Sequence, residues 1–174
     1  MKILVLSDSH SALSFMFRCV STVKPDAVIH LGDYYDDGEA LQEEFPNIRL
    51  YQVPGNCDRY RAPLGAREIL IMPVCGVMLY MTHGHRHNVK MYTGSLISDA
   101  KKEKAAAVLY GHTHIADCRQ EDGLWVMNPG SCCSWGGSVG LIETEGNQIT
   151  KCRIRKIPLC RTFFVWLKVP PASS

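Results

Sequence analysis

The sequence predicts an α/β fold in which two mixed β-sheets form the core and helices pack outside them. Residues 2–7 form a short apolar run typical of a buried central strand, and residues 11–24 carry apolar side chains at helical spacing. The second half of the chain instead contains pairs of strand-like segments separated by turns. Alternation in the first half and pairing in the second favour two sheets over a simple parallel sheet.

The first half is predicted to alternate strands with helices. The helix over 11–24 ends at Pro25, since proline cannot continue a helix. The elements that follow are a buried strand over 27–31, a short helix over 39–45 and a strand over 48–53. Each strand leads into a polar loop, and three acidic residues of one such loop (Asp36, Asp37 and Glu39) are interpreted as solvated charges.

The second half is predicted to be richer in strands. The segments are strands over 67–72 and 77–82 with a turn at 73–76, a helix over 92–107, strands over 108–110 and 125–127, and a hairpin of 139–143 and 149–154. No repeat or linker interrupts residues 1–157, so we expect a single domain there. The apolar tail 158–174 is too short to span a bilayer. We expect it to dock on the domain or on a second copy of the chain, as in a homo-oligomer.

Composition and charge restrict the expected partners. The chain has 174 residues, 46% hydrophobic and 21% charged, which is typical of a globular domain. The formal net charge is only +2, and no run of five like charges occurs. A surface that binds a polyanion usually carries more positive charge. We therefore expect a small substrate and no stable binding of nucleic acid.

The expected location is the cytoplasm. No segment approaches the roughly 20 apolar residues of a membrane span, and Asp8 interrupts the apolar start where a secretory signal would continue. The eight cysteines include no C-x-x-C pair, and disulfide frameworks are more typical of smaller secreted chains. We expect reduced, mostly buried thiols and no membrane contact.

Residues able to bind metal ions follow strand after strand, at the point where each strand ends. Seven such residues come from five loops: Asp8, His10, Asp33, Asn56, His83, His112 and His114. In open α/β sheets, ligands bind at the edge where the carboxyl ends of the strands meet. The pattern therefore predicts that the seven side chains converge at one place.

The donor types indicate a pair of metal ions. Four histidines, two aspartates and one asparagine suit manganese, iron, zinc or nickel better than calcium. Seven donors exceed the needs of one tetrahedral ion, but they match two ions that share a carboxylate. The expected partition gives Asp8, His10 and His114 to one ion, Asn56, His83 and His112 to the other, and Asp33 to both. A hydroxide bridging the two ions would then attack a phosphate ester.

Each of these residues has a simpler interpretation when taken alone. A single histidine is usually a surface or core residue, and His83 with its neighbours could form a solvated histidine-rich loop. Asp8 and Asp33 could be turn or helix-cap residues. Together, however, these interpretations require seven coincidences at one edge of one fold.

The same segments resemble, in order, the sequence blocks of the calcineurin-like metallophosphoesterases. The blocks are Asp8-x-His10, Gly32-Asp33, Gly55-Asn56-Cys57-Asp58, Thr82-His83-Gly84-His85, Gly111-His112-Thr113-His114 and Asn128-Pro129-Gly130-Ser131. The resemblance is to the small bacterial and archaeal branch, the YfcE-type phosphodiesterases, and extends over residues 1–157. It implies a four-layer α/β/β/α sandwich, the ligand partition given above, two divalent ions that are often Mn²⁺, and hydrolysis of small phosphodiesters.

Two positions depart from the wider superfamily. In most members, a histidine at the position of Cys57 protonates the leaving group. Here that position is a cysteine, as it is in the YfcE-type branch. A thiol with a pKa of ~8.5 is a poor substitute for that imidazole. We therefore expect esters of phenols to react faster than alkyl esters, with His85 as an alternative acid or Cys57 inert. The segment 132–137 also lacks the Pro-Arg or Pro-Lys ending expected after Ser131.

A protein-interaction scaffold on the same fold is the alternative interpretation. The retromer subunit that resembles this branch lacks a complete ligand set, whereas all seven positions hold a metal donor here. A nuclease of the superfamily would be expected to bring a nucleic-acid domain and more positive charge, and neither appears. The sequence therefore favours a dinuclear, metal-dependent phosphoric diester hydrolase.

Overall fold

The structure is a computed structural model that describes residues 1–133 and 136–157. The apolar tail 158–174 lies outside the described residues, as do two residues of the segment 132–137. The described residues form two five-stranded sheets and three α-helices. The predicted α/β fold with two mixed sheets is confirmed.

The elements are numbered here in chain order. They are β1 (Lys2–Leu6), α1 (Leu13–Val23), β2 (Ala27–His30), α2 (Tyr35–Glu44), β3 (Arg49–Gln52), β4 (Ile69–Val74), β5 (Val77–Thr82), α3 (Gly94–Lys102), β6 (Ala107–Leu109), β7 (Asp117–Glu121), β8 (Leu124–Asn128), β9 (Ser138–Glu145) and β10 (Gln148–Lys156). A single 3-10 turn, His85–His87, follows β5.

Both sheets mix parallel and antiparallel strands: the first is antiparallel at one side only, and the second at both outer strands. The first has the strand order β10-β9-β1-β2-β3, with β1, β2 and β3 parallel. The second has the order β4-β5-β6-β8-β7, with β5, β6 and β8 parallel. The carboxyl ends of the parallel strands carry the loops that hold the predicted donors.

The core explains why β1 is apolar throughout. Ile3 and Val5 point into the cluster between the two sheets, whereas Leu4 and Leu6 point into the cluster beneath α1. All four side chains are fully buried. On the far side, Leu96 of α3 packs with residues of β5, β6 and β8. The layers therefore run helix, sheet, sheet, helix, as the family resemblance implies.

Several predicted boundaries differ from those observed. The third helix covers only Gly94–Lys102, and Ala107 already belongs to β6. The predicted turn at 73–76 is shorter, because Pro73 pairs with Met78 within β4. Proline is tolerated there because β4 is an edge strand. Strand β7 was not predicted, since its sequence Asp-Cys-Arg-Gln-Glu has no apolar alternation.

The cysteines are less buried than expected. Seven described cysteines are free thiols, of which only Cys19 and Cys132 are fully buried. Cys57 and Cys133 are exposed, and the others are half-buried.

Within the described part of the chain, no helix is both long enough and apolar enough to cross a membrane.

Candidate metal centre

The seven predicted donors meet at one edge of the fold, between the two sheets. His83 Nε2 lies 3.1 Å from Asn56 Oδ1, 3.5 Å from Asp33 Oδ1 and 4.0 Å from Asp8 Oδ1. The same oxygen of Asp8, Oδ1, lies 3.1 Å from His114 Nε2. Side chains from both sheets thus face a single small volume.

Four of the donors form a compact group. One ligand atom from each of Asp8, His10, Asp33 and His114 lies within 4.8 Å of the others. His10 Nε2 is 3.8 Å from Asp33 Oδ2, and the rings of His10 and His114 have their centroids 5.3 Å apart. Two carboxylates and two imidazoles at this spacing suit a divalent transition-metal ion.

The remaining three donors surround the other side of Asp33. The ring centroid of His112 is 5.1 Å from that of His83, and Asn56 is in hydrogen-bonding distance of His83. Asp33 therefore has one oxygen toward each group: Oδ2 toward His10 and Oδ1 toward His83.

A hydrogen bond on the side away from the other donors fixes the orientation of the His83 ring. Its Nδ1 lies 2.7 Å from the carbonyl oxygen of Leu31, an acceptor, so Nδ1 carries the proton. In the neutral imidazole the lone pair of Nε2 is then directed at Asp33 and Asn56. A metal-binding histidine commonly has its second nitrogen held by a carbonyl in this way.

Asp8 provides a test of whether the residues fit a metal ion. Its Oδ2 accepts hydrogen bonds from Ser7 Oγ at 2.6 Å and from the backbone amide of His112 at 3.1 Å. Its Oδ1 is buried and accepts no backbone amide or hydroxyl among the described residues, but it faces His114 Nε2 at 3.1 Å and His83 Nε2 at 4.0 Å. Because a buried carboxylate oxygen without a hydrogen-bond donor is costly, a cation between it and these imidazoles would satisfy the group. The donors therefore fit a metal ion.

Asp58 connects the loops that carry these donors. Its Oδ2 accepts the amides of Asp33 at 2.9 Å and Gly55 at 2.7 Å, and its Oδ1 accepts those of Tyr34 at 2.7 Å and Tyr35 at 2.9 Å. Tyr34 and Tyr35 begin α2, which has no side-chain cap of its own. The Asp58 carboxylate thus caps α2 and ties the loop after β2 to the loop after β3.

Two glycines allow these loops to approach closely. A Cβ on Gly32, where φ is +91°, would lie 2.4 Å from the backbone nitrogen of Gly55. A Cβ on Gly55 would lie 2.2 Å from Asp33 Oδ1. Glycine is therefore required at both positions for Asp33 to reach the site.

The backbone at the site is strained. Five of the seven predicted donors have φ between 43° and 68°: Asp8, His10, Asp33, His112 and His114. This left-handed conformation costs on the order of 1 kcal/mol for each residue that is not glycine. Strain concentrated on the donors, and held by buried hydrogen bonds, is typical of a binding site.

Burial and neighbouring charges shift the pKa values of two donors, His112 and Asp33, toward the forms that bind metals. Burial, with a contribution from His83, lowers the pKa of His112 to about 4, so its imidazole is neutral at pH 7. Burial raises the pKa of Asp33, but His83, His10 and hydrogen bonds from Cys57 outweigh burial, and the net pKa is lowered. An ionised carboxylate and a neutral imidazole are the forms that bind metals.

Cys57 and His85 flank the His83 side of the site. The backbone amide of Cys57 donates to Asp33 Oδ1 at 2.9 Å, and its exposed thiol has a pKa raised to about 11 by partial burial and the Asp33 charge. The His85 ring lies 5.4 Å from that of His83, and burial together with His83 lowers its pKa. Both side chains border the site without making its closest contacts.

The end of β8 and the turn that follows it support the His112–His114 loop and the backbone of Asp8. Asn128 Nδ2 donates to the carbonyl of Gly111 at 2.9 Å and to Thr113 Oγ1 at 3.0 Å. Ser131 Oγ donates to the carbonyl of Asp8 at 2.8 Å.

Two acidic residues at the site were not identified from the sequence. Asp58 is the last residue of the block Gly55-Asn56-Cys57-Asp58, but its position in the sequence does not indicate which backbone amides donate to its carboxylate. Asp37, interpreted as a solvated charge, is in fact buried, and its Oδ2 accepts the amide of Ser11 at 2.8 Å. Both act by holding loop backbone in place.

Comparison with known proteins identifies the family. Residues 1–147 match the model of the calcineurin-like phosphoesterase superfamily domain. The chain belongs to the calcineurin-like phosphoesterase superfamily. A probable metallophosphoesterase from Mycoplasma pneumoniae is 31% identical over 133 residues, covering 75% of this chain and 78% of that protein. A phosphodiesterase from Methanocaldococcus jannaschii is 26% identical over 83% of this chain and 94% of that protein.

Solved structures share the calcineurin-like fold. A predicted phosphoesterase from Streptococcus pneumoniae is 25% identical, with a TM-score of 0.69 over 88% of this chain and 97% of that chain. Vacuolar protein sorting 29 from Cryptosporidium parvum has the same TM-score of 0.69 over 88% of this chain and 95% of that chain, at 17% identity. At that identity the second likeness concerns the fold alone.

Replacing Asp58 with asparagine should destabilise this phosphoesterase domain. The Asp58→Asn side chain keeps one acceptor oxygen and turns an NH₂ group toward backbone amides, so about two of the four hydrogen bonds are lost. We expect the free energy of unfolding to fall by about 3 kcal/mol, measured by urea denaturation. The matched control is Asp36→Asn, which breaks an exposed pair with Arg61 and should cost less than about 1 kcal/mol. Equal losses in the two variants would contradict the role of Asp58.

Proposed function

We propose that this phosphoesterase hydrolyses small phosphodiesters at a site for two divalent cations. The observation that carries the proposal is the position of Asp33, whose Oδ2 lies 3.8 Å from His10 Nε2 and whose Oδ1 lies 3.5 Å from His83 Nε2. A carboxylate with one oxygen toward each group of donors supports a ligand shared by two ions.

The proposed ligand sets follow the two groups. One cation is held by Asp8, His10 and His114, the other by Asn56, His83 and His112, and Asp33 contributes to both. The mixture of carboxylate, amide and imidazole donors supports Mn²⁺, with zinc, iron and nickel as alternatives. When bound, such ions supply a water that ionises near neutral pH and positive charge that stabilises the phosphate oxygens.

The chain itself orients these donors before any substrate arrives. Leu31 holds the His83 ring, Asp58 holds the backbone of Asp33, and Ser7 holds one oxygen of Asp8. Preorganised donors need little rearrangement during the reaction, which favours charge stabilisation in the transition state.

The leaving group is proposed to depart on the side of Asn56, Cys57 and His85. Asn56 Nδ2 lies 3.4 Å from Cys57 Sγ, and both side chains are exposed beside the His83 group. A thiol is a weaker proton donor than the imidazolium that it replaces. Esters whose leaving groups need no proton, such as phenols, therefore suit this site.

A protein-interaction role on the same fold is the second candidate. The structural likeness to vacuolar protein sorting 29, a protein named for sorting, is the observation that favours it. The full set of seven donors favours the enzyme instead. We also propose that residues 1–157 act as one domain in the cytoplasm, without stable binding of nucleic acid.

Replacing Asp33 with alanine tests the shared ligand. Loss of the shared ligand should remove both metal equivalents and lower kcat/KM by at least about 10³-fold, whereas His114→Ala should remove mainly one equivalent. Metal content after loading with Mn²⁺, and turnover of a panel of cyclic, nucleotide and aryl phosphodiesters, provide the measurements.

The control for Asp33→Ala is Asp36→Ala, an exposed aspartate outside the site that should retain both metal and activity. Circular dichroism would verify that each variant is folded. Full activity in Asp33→Ala would exclude the shared ligand, and a wild type that binds metal but hydrolyses none of the esters would favour the interaction role.

A pair of esters and a Cys57 variant test the role of the leaving group. Wild-type enzyme should cleave a methyl aryl phosphodiester much faster than a dialkyl phosphodiester. Cys57→His should raise kcat/KM for the dialkyl ester by up to about 10²-fold, because an imidazolium can protonate the alkoxide, and should change the aryl ester little. Parallel kinetics on the two esters give the comparison, and no gain on the dialkyl ester would count against this account of Cys57.

A further inference from the structure

A cavity of about 560 Å³ adjoins the candidate metal centre. It is lined by Gly55, Asn56, Arg59, Glu68, His85 and Arg86. Asn56 Oδ1 also lies 3.1 Å from His83 Nε2, and the His85 ring lies 5.4 Å from the His83 ring. The cavity therefore opens beside the proposed leaving-group side. Its volume is within the range of pockets that hold small organic ligands.

The charges lining this cavity do not cancel. The Arg86 guanidinium is paired with Glu68, at 2.7 Å between Nη2 and Oε1. Arg61, two residues beyond Arg59, is paired with Asp36 and also stacks on Tyr34, 4.0 Å from the ring centroid.

Arg59 differs from both of these arginines. Among the described residues, no carboxylate lies within ion-pair distance of its guanidinium. Its guanidinium carbon lies over the ring of Tyr60, 5.5 Å from the centroid. Arg59 also lines an adjacent cavity of about 360 Å³ that includes Glu68. The cavity beside the metal centre therefore has an uncompensated positive charge at Arg59.

We propose that the substrate carries a second anionic group, a phosphate or a carboxylate, which Arg59 binds in this cavity. A guanidinium presents paired N–H donors that match either group, and such charge-assisted bonds are among the stronger polar contacts. The proposal rests on the proposed phosphodiesterase function, because the reacting phosphate is taken to occupy the neighbouring metal centre. It narrows the substrate class to phosphodiesters with a further negative charge on the substituent near Asn56.

The test uses two substrates that differ only in this charge. They are methyl 4-(carboxymethyl)phenyl phosphate and methyl 4-(carbamoylmethyl)phenyl phosphate, which place a charged or a neutral group on the departing phenol. We expect wild-type kcat/KM to be about tenfold higher for the carboxylate ester, mainly through a lower KM. Arg59→Gln should bring this ratio close to one, Arg59→Lys should retain part of it, and the control Arg61→Gln should leave it unchanged.

A binding measurement separates this proposal from the activity on which it rests. Calorimetry on the Mn²⁺-loaded protein should show 4-(carboxymethyl)phenyl phosphate binding about tenfold more tightly than 4-(carbamoylmethyl)phenyl phosphate, with the difference lost in Arg59→Gln. Hydrolysis of both esters at equal efficiency, with equal binding of the two phosphate monoesters, would overturn the proposal while leaving the phosphodiesterase intact. Hydrolysis of neither ester would count against the phosphodiesterase, and calorimetry would then decide the role of Arg59.

A second inference comes from a different part of the molecule. Cys118 on β7 and Cys152 on β10 lie on edge strands of opposite sheets, and their Sγ atoms are 3.5 Å apart. Both thiols are half-buried and pack against the core between the sheets. The hydrogen bond between them lowers the pKa of Cys118, although burial opposes this effect.

We infer that Cys118 and Cys152 can be oxidised to a disulfide that links the two sheets. The Cys118 thiolate attacks glutathione disulfide, forming a mixed disulfide and releasing one glutathione. Cys152 loses its proton and displaces the second glutathione, so that the two thiols give up two electrons and two protons while one disulfide is reduced to two thiols. The sulfurs, 3.5 Å apart, must approach by roughly 1.5 Å to reach the length of a disulfide bond.

The test is incubation of the full chain with glutathione disulfide, followed by peptide mapping. A Cys118–Cys152 cross-linked peptide is expected, with Tm raised by about 5–10 °C in the oxidised protein and no such increase in Cys118→Ser. The exposed thiol Cys133 serves as an internal reactivity control. Full modification of Cys133 without any Cys118–Cys152 link, or only glutathione adducts at Cys118 and Cys152, would overturn the inference.

Discussion

Four backbone amides from two loops converge on the buried carboxylate of Asp58, and this convergence sets the position of the groups around it. The loop after β2 brings Asp33, and the loop after β3 brings Asn56. The Asp58 carboxylate provides these four amides with the acceptor that a strand or helix partner would otherwise supply. The same carboxylate caps α2, which couples the outer helix layer to the edge where the donors meet.

The site combines features that are unfavourable for folding alone. Asp8, Asp33, Asp37 and Asp58 are all buried within a small region, and five of the predicted donors adopt left-handed backbone conformations. Most of these carboxylates are satisfied by amides or hydroxyls, but Asp8 Oδ1 has no such partner among the described residues. The unfavourable terms are thus concentrated where a cation would offset them. This is the expected pattern when a fold is selected for binding as well as for stability.

Much of the fold and the donor set can be predicted because they follow local patterns. The run from Lys2 to Leu6 reads as a strand buried on both faces, and each donor follows a strand end. The polar strand β7 and the true length of α3 could not be predicted, because edge pairing and packing decide them. The acceptor role of Asp58 and the contact of Cys118 with Cys152 join segments far apart in sequence. Such contacts depend on how the two sheets pack against each other, and the spacing of apolar residues within one segment does not indicate that packing.

Some strands of the two sheets lead into loops that carry predicted donors, and others do not. The donors follow β1, β2, β3, β5 and β6, whereas no predicted donor lies on or directly after β4, β7, β9 or β10. The turn at Glu145–Gln148 joins two of these donor-free strands at the sheet edge. Insertions or fusions in that turn leave every donor-bearing loop untouched. New segments can therefore be attached at the β9–β10 hairpin, in evolution or by engineering, without changing the loops that carry the donors.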